Sequence, residues 1–228
     1  MVHRAKGDGK VLFGPEAILT RPNLAAHIGA IATMWTIIEE TWGHILSEAL
    51  DAEAKTGIAM YLALSGAASQ GAILTEAVKM HLPEKIQTMV AEARQVEKGV
   101  ARDRNRIVHG RWGILIEDDR YLVLGESNWL PRALARIREQ YGKSRNALAA
   151  VESYPEMEKM LYSENDFIQI GKRLKDHADR LNAIIFEAGA WRQQRRLLAL
   201  TAVSPNALGR GLLSLPETAP EEAQTPQK

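Results

Sequence analysis

The sequence predicts a mainly all-α protein, an antiparallel bundle of four to five long helices with one small β-hairpin insertion. Three observations predict it. Leu24, Ile28, Ile31, Trp35, Ile38, Trp42, Ile45 and Ala49 recur three and four apart, which is the seam of a helix packed lengthwise on others. Phe167, Ile170, Leu174, Leu181, Ile184, Ile185, Ala188 and Trp191 form a second such stripe. By contrast, about 112–125 holds two runs of strand formers around a polar turn.

Composition bounds the function classes. The chain has 228 residues, 46% hydrophobic and 25% charged, enough for one sizeable core. Its formal net charge is +1, so any contact with nucleic acid must come from a local patch. It has no cysteine, which excludes disulfides and thiolate metal sites and agrees with a reducing compartment. Met1–Lys10 lacks an apolar leader core, and the apolar-rich run Ile58–Ala68 is too short to cross a bilayer. The expectation is a cytoplasmic chain with no membrane partner.

Taken in order, residues 1–21 read as an irregular lead-in, punctuated by Gly7, Gly9, Gly14 and Pro15 around Val11-Leu12-Phe13. The Gly7-x-Gly9 pair completes no phosphate-loop fingerprint. A helical domain spans 22–200, opened by Pro22 and Asn23. On its first helix Glu40 and His44 lie four apart, a spacing more typical of a surface pair than of a two-ligand metal site. No metal and no cofactor is expected. A second helix covers about 57–81, and its small residues Gly66, Ala67, Ala68, Ser69, Gly71 and Ala72 allow a neighbour to approach closely.

Pro83 suits the start of the third helix. Ile86, Val90, Ala93, Val96 and Val100 form its buried stripe, and Arg94, Lys98, Arg102 and Arg106 its basic outer face. The hairpin follows, with Trp112 either packed on the helices or stacking on a base. Residues 128–160 read as a basic helical insertion, carrying Arg132, Arg136, Arg138, Lys143 and Arg145. Ser163-Glu164-Asn165-Asp166 is a helix start resembling a capping box. The tail 201–228, rich in Pro, Glu and Gln towards its end, is expected to be disordered.

The chemistry concentrates in Arg104-Asn105-Arg106-Ile107-Val108-His109-Gly110. On a regular helix Asn105 and His109 share a face, and Arg104 sits about 140° away from His109. Gly110, a favoured residue just past a helix end, predicts termination at His109. Arg104 falls on the apolar stripe, where a guanidinium asks for an anionic partner. A phosphodiester is one such partner. His109 has the residue type to exchange a proton with a ribose hydroxyl, and Arg104 can stabilise charge on phosphorane oxygens through paired hydrogen bonds.

The segment resembles the Arg-Asn-x3-His signature of the HEPN family, helical-bundle proteins that include many metal-independent ribonucleases. The resemblance covers about Leu24 to Arg196. It implies an endoribonuclease cleaving RNA, single-stranded by expectation, through 2′-hydroxyl transesterification at a site shared by a homodimer, since one chain supplies only one motif histidine. Arg104, Asn105 and His109 would be catalytic, with Arg102, Arg106 and Arg111 binding RNA. It further implies a toxin or phage-defence role, with an antitoxin or nucleotidyltransferase-type partner. The alternative is a non-catalytic dimeric module of this kind that binds nucleic acid or protein. A third reading closes Arg104 and His109 into an ion-pair network with Glu39 or Glu40.

Overall fold

The computed structural model describes residues 3–5, 11–125 and 159–203. Most of the insertion expected over 128–160, and the tail beyond Val203, lie outside the described residues. The chain divides into two compact units, residues 1–188 and 189–228.

The first unit is mainly helical with a small antiparallel sheet. Its elements are β1 (His3–Ala5), β2 (Val11–Phe13), α1 (Pro15–Leu19), α2 (Pro22–Leu50), α3 (Ala54–Ala63), α4 (Ala67–His81), α5 (Glu84–His109), β3 (Arg111–Leu115), β4 (Tyr121–Gly125) and β5 (Lys159–Ser163). α6 (Glu164–Val203) begins here and runs into the second unit. The core lies where the α2, α5 and α6 stripes are buried, among them Ile38, Trp42, Ile45, Val90, Ala93, Ile107, Leu174, Leu181 and Ile184. Among the described residues, no helix is long and apolar enough to cross a membrane.

Three local expectations are corrected. The lead-in is not wholly irregular: β1 and β2 are the edge strands of a five-stranded sheet in the order β1-β5-β4-β3-β2. The sheet is therefore larger than the expected hairpin, which survives as its β3–β4 pair, with Trp112 opposite Leu124. Gly113 makes room for β2, because a Cβ there would meet the Leu12 carbonyl oxygen and the Phe13 ring. The helix expected over 57–81 breaks into α3 and α4, since Gly66 adopts φ +88°, a left-handed geometry no helix interior accepts. Close helix approach occurs instead between α2 and α3, where a Cβ on Gly43 would strike the Ile58 backbone and one on Gly57 the Ser47 backbone.

Side chains lock the joints. At the β3–β4 turn, Asp118 accepts hydrogen bonds from the Arg120 backbone N–H at 3.0 Å and from its guanidinium at 2.9 and 2.7 Å, an Asx-type turn. The α6 capping box forms: Asp166 N–H donates to Ser163 Oγ at 3.3 Å, and Ser163 N–H to Asp166 Oδ2 at 3.0 Å. Trp112, Tyr162 and Phe167 then join the sheet to α6, with ring centroids 5.3–5.6 Å apart.

In the second unit, described over residues 189–203, the Arg195 guanidinium lies 4.9 Å from the Trp191 ring centroid. Leu197, Leu198 and Leu200 are exposed there.

Candidate functional site

α5 stays helical through His109, so Arg104 and His109 leave the axis at well separated angles. Length of side chain closes the gap: Arg104 Nη1 lies 3.4 Å from His109 Nε2. The same nitrogen donates to Asn105 Oδ1 at 2.9 Å. The structure thus brings Arg104, Asn105 and His109 together, and the Asn105 oxygen takes up the guanidinium rather than the imidazole. A guanidinium only donates, so a hydrogen bond across this contact has to be accepted by a lone pair on His109 Nε2.

Gly110 ends the helix for a different reason than expected. Its φ of −73° and ψ of 156° are extended, not left-handed. A Cβ would instead collide with the Leu124 side chain and the Arg106 carbonyl oxygen. Two residues on, the buried Trp112 donates from Nε1 to the Ile107 carbonyl at 2.8 Å. The strand that follows is thereby bolted to the last turn of α5, and His109 stands at a fixed edge. Trp112 belongs to the core and offers no face for a base.

Arg104 is half-buried, and its guanidinium carbon sits 5.3 Å from the Trp35 ring centroid on α2. Its Nε is shut off from solvent with no hydrogen-bond partner. No carboxylate among the described residues pairs with it; Glu39 acts instead on Tyr61 and Glu97. Arg94 forms an instructive contrast at the same helix seam. It stacks 5.3 Å from the Trp42 centroid, but its Nη1 is 2.6 Å from Glu97 Oε2. Glu97 also accepts from Trp42 Nε1 at 2.9 Å. One arginine is neutralised, and the other keeps its charge for something else.

This second cluster went unread in the sequence. Gly71 admits Arg94, whose guanidinium occupies the space of a Cβ there. Burial pushes the Tyr61 hydroxyl up to about 12, and burial raises Glu97 against the pull of Arg94. His177, 1% exposed, has neither ring nitrogen paired. Burial, then Arg180 and Arg94, bring it down to about 4. Apart from the Arg94–Glu97 pair, three residues apart on α5, these contacts join residues from different helices, which nothing local in the sequence marks.

Asn105 and His109 are exposed, as are Lys98, Arg102, Arg106 and Arg111. Helical spacing aligns Lys98, Arg102, Asn105 and His109 along one face. Arg106 is turned about 60° from His109 and acts on the Tyr162 hydroxyl; Arg111 opens β3. None of these four cations pairs with a carboxylate among the described residues. A cleft of about 510 Å³ lies elsewhere, at the N-termini of α2 and α6, walled by Arg21, Arg120 and Ser163 among others. Asn105 and His109 stand exposed in line with Lys98 and Arg102, an arrangement that a chain-like anionic ligand laid along α5 would meet.

No group of three or more His, Asp or Glu side chains that could hold a metal ion occurs among the described residues. His44 approaches Glu48 at 3.9 Å, not Glu40. No protein-family model, curated protein or solved structure matches this chain.

Proposed function

We propose that the protein is a metal-independent endoribonuclease of HEPN type, working as a homodimer on single-stranded RNA. The observation that carries this reading is a helix-seam arginine without a carboxylate partner, held 3.4 Å from an exposed histidine. The positive face beside it, with Arg102 and further Arg106 and Arg111, supplies phosphate contacts. The motif resemblance supports the family, and through it a toxin or phage-defence role.

In the reaction, Arg104 Nη1 turns from His109 to the phosphate, and the freed His109 Nε2 takes the proton of a ribose 2′-hydroxyl as its oxygen attacks phosphorus. Arg104 donates to the phosphorane oxygens. The bond from phosphorus to the 5′-oxygen breaks, and that oxygen takes a proton from the protonated His109 of a second copy. The products are a 2′,3′-cyclic phosphate and a 5′-hydroxyl. Asn105 orients the guanidinium.

Purified protein should cleave single-stranded RNA in EDTA, leave a 2′,3′-cyclic phosphate end, and lose activity in His109→Ala while keeping its melting temperature. RNA binding without cleavage by the wild type, lost in Arg104→Ala and kept in His109→Ala, identifies a binding module instead. A monomer at assay concentration overturns the composite site.

A further inference from the structure

We infer that Trp35, on α2, is the positioning residue for Arg104, an assignment that rests on the ribonuclease reading above. Three observations converge on it. The Arg104 guanidinium carbon is 5.3 Å from the Trp35 centroid, and the indole is fixed in the core at 7% exposure. Arg104 Nε is buried with no acceptor, so that side of the guanidinium gains nothing from hydrogen bonding. What offsets its desolvation is the negative face of the indole. Nη1 is then the nitrogen directed to Asn105 and His109.

The consequence follows from comparing the two arginines at this seam. Arg94 has an aromatic floor and a carboxylate that fixes its orientation. Arg104 has the floor and no carboxylate, so Trp35, with the Asn105 and His109 contacts at Nη1, sets where its donors point. An arginine held by a carboxylate has its charge spent; one held by an aromatic face keeps both charge and outward donors for a phosphoryl oxygen. Without the indole, Arg104 swings among rotamers, and the transition state loses a donor already in place. Misplacement of about 1 Å at a reacting centre costs on the order of 100-fold in rate.

The test compares Trp35→Leu, Trp35→Phe and Trp42→Leu, each confirmed folded at the assay temperature. Steady-state cleavage of an RNA oligonucleotide is followed beside the ¹H–¹⁵N resonance of Arg104 Nε, which the Trp35 ring current should displace. Trp35→Leu should lower kcat about 10–100-fold with KM within about threefold, and return the resonance to an ordinary arginine position. Trp35→Phe, retaining a π face, should recover most of the rate. Trp42→Leu removes the other stacked indole and should leave kcat unchanged. Wild-type rate in folded Trp35→Leu, or a resonance that does not respond to it in an active enzyme, overturns the assignment alone. A wild type that does not cleave, while its Arg104 resonance still depends on Trp35, overturns the ribonuclease reading and the kinetic role together.

Discussion

Arg104 Nη1 and His109 Nε2 are 3.4 Å apart, with Nη1 also donating to Asn105 Oδ1 at 2.9 Å. One planar group therefore faces two acceptors while its Nε edge is buried. A lysine keeps the charge but neither the plane nor the fork. Arg104→Lys should lower cleavage by about 100-fold or more while changing stability by under about 1 kcal/mol. Single-turnover rates and urea melts check both halves; a lysine variant within a few-fold of wild type would show that charge alone suffices.

Gly110 leaves α5 beneath the Leu124 side chain, and a Cβ there has no space between that side chain and the Arg106 carbonyl. Gly110→Ala should destabilise by about 1–3 kcal/mol, the usual cost of overpacking. Because His109 is its neighbour, the rate should fall as well. Shortening Leu124 to Val in the same chain relieves part of the clash, so the double variant should be more stable than the sum of the singles predicts. Equilibrium unfolding of the four species measures that coupling.

Much of this geometry was legible from spacing alone. The stripe from Leu24 to Ala49, the end of α5 at His109 and the Ser163–Asp166 box depend on residues within a few turns of one another, and the structure has each of them. Contacts between distant segments were not legible. Val11-Leu12-Phe13 is too short to announce a strand, and becomes one because Val11–Phe13 pairs with Gly113–Leu115. The pairing of Arg104 with Trp35, and of Glu97 with Trp42, depends on the register of α2 against α5. Sequence periodicity specifies which face is buried, not which residue lies opposite.

Glu97 accepts from both Trp42 Nε1 and Arg94 Nη1. Removing it leaves Trp42 Nε1 and Arg94 Nη1 without an acceptor at a partly buried seam. Glu97→Ala should cost about 2–3 kcal/mol, toward the lower end for a buried pair because its partner is 23% exposed. Replacing the pair together, Arg94→Met with Glu97→Leu, should cost less than Glu97→Ala alone, as read by thermal melts.

His177 gives the fold an acid-sensitive point. Burial, reinforced by Arg180 and Arg94, holds its folded form neutral down to about 4, against an ordinary value of 6.5. Between these values the unfolded chain takes up a proton that the folded chain refuses. Its contribution to stability is therefore complete above about pH 6.5, falls as pH drops towards 4, and changes no further below that. At about 1.4 kcal/mol per pH unit the loss reaches about 3 kcal/mol. His177→Leu should flatten this part of the stability profile, and equal pH slopes in both proteins would show that the imidazole is not the source.

Electrostatics of the α5 face decide whether RNA lies along it. Arg102 shares the His109 side and pairs with no described carboxylate, whereas Lys175 on α6 is already matched to Asp179 at 2.5 Å. A phosphate contact to single-stranded RNA releases a counterion and adds about 0.7 to the slope of log affinity against log salt. In an inactive His109→Ala background, Arg102→Gln should reduce that slope by about 0.7, and Lys175→Gln should leave it unchanged. Equal slopes for the two variants would move the RNA path off this face, since an unpaired cation touching phosphate must register in the salt dependence where a paired one does not.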